Sequence, residues 1–288
     1  MSNQLNKVSV STKFLKYEKG MVIHMREYVL KTTNLTKQYK NQKAVDQVSL
    51  NVEKGAIYGF IGRNGAGKTT FLRMISGLAE ETSGGIELFG HKGKDVKNVY
   101  DRVGVLIEDP GLYKNMTAFD NLKLKAICMG IYDKKNLEDI IESVGLTKAG
   151  NKKVKNYSLG MKQRLGIGMA LIGEPDLLVL DEPINGLDPQ GIVEVRETIL
   201  SLNKDKNITV IISSHILEEL SKLVSHYGII DQGKLIQELT IQIYERLEDV
   251  ADINMELVLN QIRVSSIGVN RDNLEKYFME LTGGSDNA

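Results

Sequence analysis

The sequence predicts an α/β protein with one mostly parallel sheet and a helical segment inserted near residues 110 to 165. Three observations lead to this prediction. Short apolar runs bounded by charged residues indicate buried strands, and stretches with apolar residues at helical spacing alternate with them. In addition, a Gly-rich loop joins one of the strands directly to a helix. Alternating strands and helices are typical of units that pack on a parallel sheet.

The individual elements follow from local composition and periodicity. Strands are predicted over residues 28–33, 48–52, 56–61, 85–89, 103–107, 177–180 and 208–212. Helices are predicted over 68 to about 78, over most of 117–149, from about 158, after Pro189 and from 216. A hairpin is expected over 226–238 with its turn at Gln232-Gly233, and weaker helices over 240–247 and about 273–281.

These elements divide the chain into three regions. Residues 1–26 show no sustained period and are predicted to be a disordered tail, unless Met21 or Met25 is the true start. Residues 27–238 form the predicted domain, and residues 239–288 a small C-terminal extension whose end is expected to fray.

Composition limits the function classes. Lys plus Arg and Asp plus Glu each count 37, so a net charge of zero gives no global reason to bind nucleic acid or anionic lipid. The single cysteine, Cys128, cannot form an intramolecular disulfide and is expected to pack as a small apolar residue. No apolar run approaches the roughly 18 to 20 residues of a membrane span, and residues 1–25 lack the apolar region of a signal peptide. We therefore expect any membrane role to depend on a partner.

Residues 62–69 fit the phosphate-binding P-loop pattern G-x-x-x-x-G-K-[ST]. The glycines let the backbone curl so that successive N–H groups point at phosphate oxygens. Lys68 can supply a positive charge to the β- and γ-phosphates, and the Thr69 hydroxyl can ligate Mg²⁺. The helix that follows adds its positive dipole end, whereas the alternative is a Gly-rich turn with a surface lysine. The candidate nucleotide-binding residues here are Gly62, Arg63, Asn64, Gly65, Ala66, Gly67, Lys68, Thr69 and Thr70.

Residues 177–182 form an apolar strand that ends in two carboxylates, Asp181 and Glu182. Ligands bind at the carboxyl ends of strands in open α/β sheets, so Asp181 can hold Mg²⁺ together with Thr69. The alternation of side chains along a pleated strand predicts that Glu182 faces away from Asp181, where it can act as general base on the attacking water. The alternative is a pair of strand-end acids in solvent.

Residues 157–164, Y-S-L-G-M-K-Q-R, resemble the signature motif of ABC ATPases and precede the 177–182 strand at that family's spacing. The resemblance extends over residues 28–238. Leu159 and Met161 stand where the family commonly has Gly and Gln. Other family elements are matched by Asn185-Gly186-Leu187-Asp188-Pro189, which looks like the D-loop, by Ser213-Ser214-His215, which looks like the switch-histidine segment, and by Tyr39, which looks like the aromatic residue that stacks on adenine.

The resemblance implies an ABC-type P-loop NTPase core with an antiparallel β-subdomain and a helical insertion subdomain. It implies ATP and Mg²⁺ as cofactors, and it places His215 at the γ-phosphate and Asp188 at the nucleotide. Ser158 and Gly160 lie at a predicted helix start, which is a natural anion site. In the family that site binds the γ-phosphate of the ATP held by the other protomer of a head-to-tail dimer. Without the resemblance, His215 would be a surface histidine and Tyr39 a packing residue.

Glu108 stands where the family usually has the Gln of the Q-loop. The surrounding Leu106–Tyr113 segment, L-I-E-D-P-G-L-Y, resembles the bacitracin-resistance and lantibiotic-immunity type of ABC ATPase, as do residues 274–284 near the C-terminus. We expect Glu108 to lie near Mg²⁺ and the nucleotide, and to couple the ATP state to a membrane partner. The alternative is that Glu and Gln are interchangeable spacers at this position.

From this resemblance we expect the chain to be the ATP-hydrolysing subunit of a transporter that exports or expels antimicrobial peptides. It would work as a homodimer or heterodimer on separately encoded transmembrane permease subunits, at the cytoplasmic face of the membrane. The alternatives are a ribosome or DNA-repair ABC protein and an ATP-dependent interaction module that does not hydrolyse ATP. One P-loop, no heptad run and no net positive charge argue against the first, and the Asp181–Glu182 pair argues against the second.

Overall fold

The computed structural model describes residues 27–224 and 226–240. The predicted N-terminal tail, the extension beyond residue 240 and the helix over 273–281 lie outside the described residues. The predicted helix over 240–247 is wrong at its first residue, because Thr240 ends a strand and pairs with His226. The proposed domain limits therefore stay a prediction.

Eleven strands and six α-helices make up the part of the chain that is described. The strands are β1 (Tyr28–Tyr39), β2 (Gln42–Val48), β3 (Asn51–Glu53), β4 (Ile57–Ile61), β5 (Ser83–Leu88), β6 (His91–Lys92), β7 (Val103–Leu106), β8 (Leu177–Asp181), β9 (Thr209–Ser214), β10 (His226–Asp231) and β11 (Lys234–Thr240). The helices are α1 (Lys68–Ile75), α2 (Ala118–Cys128), α3 (Lys134–Ser143), α4 (Leu159–Ala170), α5 (Pro189–Lys206) and α6 (Leu217–Ser221). The 3₁₀ segments are Gly93–Arg102, Thr147–Ala149 and Val154–Asn156.

The larger sheet has the strand order β11-β10-β4-β9-β8-β7. Strands β10, β4, β9, β8 and β7 run parallel, and β11 closes one edge as the antiparallel partner of β10. Every residue of β4, β8 and β9 is buried, as the continuous apolar runs predict for a sheet covered on both faces. The carboxyl ends of β4, β8 and β9 therefore lie side by side at one edge.

The second sheet is antiparallel and contains β1, β2, β3, β5 and β6. The single strand predicted over 48–52 is wrong, because the chain passes there from β2 to β3, and both strands pair with β1. The apolar alternation of Val48, Leu50 and Val52, all buried, continues across the junction. The Thr32 hydroxyl bridges the gap, donating to the Val48 carbonyl and accepting from the Leu50 amide.

Helix ends follow their capping chemistry. Helix α2 begins with a capping box between Thr117 and Asp120, and α5 begins after the N-cap Asp188 with Pro189 at its first position. Helix α1 stops at Ile75, earlier than predicted, because Gly77 adopts φ 71° and closes the helix. The Gly77 and Leu78 amides donate to the Met74 and Arg73 carbonyls, a Schellman arrangement. The 3₁₀ segment Gly93–Arg102 was not predicted.

The larger sheet separates two apolar clusters. Leu178 and Val210 face the cluster that contains residues of α2, α3, α4 and α5, whereas Val179 and Ile211 face the cluster that contains residues of α1 and the antiparallel sheet. This confirms the predicted α/β class with an antiparallel sheet and inserted helices. Cys128 is exposed, so the expectation that it packs in the interior is wrong. None of the described helices is long and apolar enough to cross a membrane.

Candidate nucleotide-binding site

The Gly-rich loop leaves β4 at the carboxyl edge of the larger sheet. Gly67 adopts φ 105°, and a Cβ at this position would lie 2.2 Å from the Ala44 carbonyl oxygen. The Gly233 amide, in the turn of the β10–β11 hairpin, donates to the Ala66 carbonyl at 2.9 Å. Only glycine fits at position 67, because β2 and the hairpin hold the loop from outside.

Helix α1 begins at this loop with a start suited to an anion. Its N-cap is Gly67, which has no side chain to cap the helix, and its first turn contains no acidic residue. Within residues 27–224 and 226–240, no side chain therefore accepts hydrogen bonds from the amides of the first turn, and no acidic side chain of that turn offsets the positive end of the helix dipole. A phosphate group would accept hydrogen bonds from these amides and place negative charge at the positive end of the dipole.

Lys68 is folded into the loop. Its side chain is 6% exposed, and its Nζ donates to the Gly62 carbonyl at 2.6 Å and to the Arg63 carbonyl at 3.2 Å. The same Nζ lies 3.1 Å from Oε1 of Glu182. The loop therefore surrounds the positively charged Lys68 amine, which is buried and lies close to the end of β8.

Asp181, the last residue of β8, faces the start of α1. The Thr69 hydroxyl donates to its Oδ2 at 2.6 Å, and the Ser213 hydroxyl of β9 donates to its Oδ1. The structure therefore brings Thr69 and Asp181 together across 112 residues of sequence, and their joint binding of Mg²⁺ stays a prediction.

Glu182 reaches the site by a different route from the predicted one. Strand β8 ends at Asp181, and Glu182 has a left-handed backbone with φ 50°, so the argument from strand pleating is wrong for this residue. Its amide is held by the Ser213 hydroxyl at 3.0 Å, and its Oε2 lies 2.7 Å from Nδ1 of His215. The carboxylate therefore lies between Lys68 and His215.

Glu108 lies in the loop after β7, also with a left-handed backbone, at φ 63°. Its carboxylate forms an ion pair with Arg73 in the last turn of α1. No hydrogen bond or ion pair joins Glu108 to Thr69 or Asp181 in the described part of the chain. The expected approach of Glu108 to the metal stays a prediction.

The other predicted residues lie at helix starts and at a strand end. Ser158 caps α4 by accepting from the Met161 amide at 3.2 Å, and Asp188 caps α5 by accepting from the Gly191 amide at 3.1 Å. The two starts are close together, because a Cβ on Gly160 would lie 3.3 Å from Cα of Gly191. Within the described ranges, no hydrogen bond or ion pair joins these starts to the loop around Lys68. Tyr39, at the end of β1, is 49% exposed with Lys37 Nζ 5.1 Å from its ring centroid.

Two contacts of the site were missed from the sequence. The motif that contains His215 gives Ser213 no role of its own, although strand pairing brings the Ser213 hydroxyl to both Asp181 and Glu182. No motif includes Arg73, although it stands five residues after Lys68, at the far end of the same short helix. A predicted pairing of the two strands would have located Ser213.

A loop wrapped around a buried lysine, facing a Thr–Asp pair and a strand-end glutamate, defines a nucleotide-binding protein of the P-loop class. The model of the ABC transporter family matches residues 45–185. The chain is 44% identical to the bacitracin transport ATP-binding protein BcrA of Bacillus licheniformis, over 89% of this chain and 98% of that protein. The chain belongs to the ABC transporter ATP-binding proteins, and it is an ATPase of that family.

One further relative agrees with this family, and one solved structure has the same fold. The lantibiotic transport ATP-binding protein SrtF of Streptococcus pyogenes is 43% identical, over 77% of this chain and 95% of that protein. A dimeric post-hydrolysis structure of the ATP-binding cassette MJ0796, bound to ADP and Pi, matches with a TM-score of 0.65 at 22% identity, over 75% of this chain and all of that one. At this identity the likeness is one of fold.

Proposed function

We propose that this chain drives the export or expulsion of an antimicrobial peptide of the bacitracin or lantibiotic type, through separately encoded transmembrane permease subunits. The observation that carries the proposal is the 44% identity that spans 98% of a bacitracin transport ATP-binding protein. The lantibiotic transport relative at 43% identity supports the same class of cargo. The chain would then work at the cytoplasmic face of the membrane, on the permease and not on nucleic acid.

The proposed chemistry assigns one task to each group at the edge of the sheet. The loop amides and Lys68 bind the β- and γ-phosphates of ATP, and Tyr39 stacks on the adenine. Glu182 accepts a proton from the attacking water, because its carboxylate lies at the phosphate loop, where Lys68 and His215 fix its position. His215 holds that carboxylate in place and reaches the γ-phosphate.

Thr69 and Asp181 are the residues that would hold Mg²⁺. Their oxygens are 2.6 Å apart, and hydroxyl and carboxylate are the hard ligands that this ion prefers. The described residues contain no group of three or more His, Cys, Asp and Glu side chains arranged to hold a metal. A two-ligand protein site fits Mg²⁺, which usually keeps several waters and takes the remaining ligands from phosphates. When bound there, the ion would neutralise charge on the phosphate oxygens.

The site is proposed to be completed by a second ATPase subunit. Ser158, Gly160 and Asp188 occupy neighbouring helix starts, which form no hydrogen bond or ion pair with the Lys68 loop in the part of the chain that the structure describes. In a head-to-tail dimer these starts would face the ATP of the other subunit, and the donors of α4 would bind its γ-phosphate. A cassette of the same fold forms a dimer.

The test is expression of this chain with its neighbouring permease genes in a susceptible Gram-positive host. We expect the minimum inhibitory concentration of bacitracin or of a lantibiotic to rise, and Glu182→Gln to abolish the rise at equal expression. Resistance that persists with Glu182→Gln would contradict hydrolysis as the driving step. If neither peptide class is affected while the purified chain hydrolyses ATP, the cargo assignment is wrong and the ATPase assignment stands.

A further inference from the structure

Ser213 lies on β9 at the edge of the sheet where the site is built, and the roles proposed above do not use it. It is fully buried, at 0% exposure. The register of the parallel pair β8–β9 places Ser213 directly beside Asp181. Residues in register on neighbouring strands present their side chains to the same face of the sheet. The Ser213 hydroxyl is therefore fixed against the Asp181 carboxylate by strand pairing.

Among the described residues, the Ser213 hydroxyl makes two hydrogen bonds, one to Asp181 and one to Glu182. It donates to Oδ1 of Asp181 and accepts from the Glu182 amide at 3.0 Å. A serine hydroxyl has one proton to donate, so this pattern points the proton at the carboxylate. The Glu182 amide also lies 3.2 Å from the Ser213 carbonyl, which anchors the residue whose backbone is left-handed.

These bonds determine which carboxylate oxygen is presented to the metal position. With Oδ1 engaged by Ser213, Oδ2 is the oxygen that faces Thr69 at 2.6 Å. Without the hydroxyl, the carboxylate could rotate about its χ2 torsion, which is broad for aspartate. We infer that Ser213 is a positioning residue that orients the Asp181 carboxylate toward the metal and ties it to the backbone of Glu182. This inference rests on the proposed function, since it assumes that Asp181 holds Mg²⁺.

A purely structural role is the competing explanation, since any buried hydroxyl that loses its partners destabilises the fold. The two explanations differ in metal affinity. Outer partners of metal ligands typically change affinity by about 10–100-fold when they are removed. A structural hydroxyl changes the melting temperature and leaves the metal affinity of the folded protein unchanged.

The experiment compares Ser213→Val with Ser213→Thr, which have the same shape and differ in the hydroxyl. Mn²⁺ binding to the purified chain is titrated by EPR in the presence of AMP-PNP, together with ATPase rates against Mg²⁺ concentration. We expect Ser213→Val to weaken Mn²⁺ binding by about 10–100-fold, and Ser213→Thr to stay close to the wild type. AMP-PNP affinity without metal should be the same in both variants, because the loop amides and Lys68 are unchanged.

Thr209→Val is the matched control on the same strand. Thr209 is also fully buried, and its hydroxyl accepts from the Gly55 amide at 2.9 Å, at the opposite end of β9 from Asp181. We expect this control to lower the melting temperature without changing Mn²⁺ affinity. If the Ser213→Val variant does not fold, the Ser213→Ala variant replaces it and is compared with the wild type.

Equal Mn²⁺ affinity in Ser213→Val and Ser213→Thr overturns the inference. The proposed function stands in that case, provided that the wild-type chain binds Mn²⁺ and AMP-PNP. A wild-type chain that binds AMP-PNP but no Mn²⁺ contradicts the proposed metal site itself and overturns both. A loss of affinity in Thr209→Val as large as in Ser213→Val also overturns the positioning role, because it would make the effect one of general stability.

Discussion

Replacing Glu108 by Gln removes the charge from the ion pair that links the loop after β7 to α1. In this pair 38% of the Arg73 side chain and 64% of the Glu108 side chain are exposed. Exposed pairs of this kind contribute about 0–1 kcal/mol, because solvent screens them. That range corresponds to at most about a fivefold change in an equilibrium constant. We therefore expect basal ATPase activity of Glu108→Gln to stay within about fivefold of the wild type.

Transport should respond more strongly than hydrolysis. The Arg73–Glu108 contact joins the helix that follows the P-loop to the segment that leads into α2 and the inserted helices. An ionised Glu offers only acceptors and a full charge, which suit an arginine, whereas a Gln amide also donates and carries no charge. We expect Glu108→Gln to reduce resistance in cells. With the ion pair weakened, the conformational change that follows ATP binding or hydrolysis at the P-loop is transmitted less effectively to the inserted helices.

Two assays separate these effects: phosphate release by the purified subunit, and the minimum inhibitory concentration in cells that express the whole transporter. Arg102 and Asp176 form a similarly exposed pair, at 43% and 49%, so Asp176→Asn is the matched control and should change neither readout. Loss of hydrolysis on the scale of Glu182→Gln would make Glu108 a catalytic group. Unchanged resistance would favour the view that Glu and Gln are interchangeable spacers here.

The remaining predictions concern hydrolysis, dimer closure and the N-terminal residues. Glu182→Gln should bind MgATP yet release phosphate about 10²–10⁴-fold more slowly, because an amide cannot accept the proton, and a near-normal rate would exclude Glu182 as the base. Lys68→Ala should instead lose nucleotide affinity in equilibrium binding, and retained affinity would count against the loop as the phosphate site. Ser158→Arg should leave binding to the isolated subunit nearly intact but block ATP-dependent dimerisation in size-exclusion chromatography; normal dimers would refute the two-sided site. Deleting residues 1–24 should leave the melting temperature and ATPase rate unchanged, and a loss of several degrees would show that these residues pack on the domain.

Local sequence motifs were sufficient to predict the phosphate-binding loop and the buried strand that leads to Asp181. The loop from Gly62 to Thr69 is contiguous, and its glycines, lysine and threonine each meet a need of phosphate binding that depends on neighbouring residues alone. The buried strand before Asp181 could be predicted for the same reason, because a continuous apolar run is a local signal. The strand and helix that flank the loop were placed correctly, apart from the early end of α1 at the Gly77 turn.

The contacts between distant segments were not visible. The Thr69–Asp181 bond follows from fold-level reasoning about strand ends, but the Ser213–Asp181 bond depends on the register of β8 against β9, which no single segment contains. The backbone conformation of Glu182 could also not be predicted from the local sequence. A left-handed residue after a strand depends on tertiary contacts, and glutamate gives no local sign of it. The Glu182 side chain reaches Lys68 and His215 through a turn after the strand, and not through the alternation of side chains along the strand.

The proposed two-subunit site is consistent with where its groups lie in the fold. Thr69 lies on α1, and Asp181, Glu182 and His215 lie at the ends of the adjacent strands β8 and β9. The pairing of these strands and the packing of α1 against the same sheet hold the four residues together. Ser158 lies instead at the start of a helix of the inserted segment, and its hydroxyl is bonded within that helix start. Under the proposed function, Ser158 would contact the γ-phosphate of an ATP held by another copy of the chain. Dimerisation would then couple hydrolysis to movement of the inserted helices. Ser158 lies at the start of one of these helices, so the helix must move with Ser158 when the two subunits close on ATP.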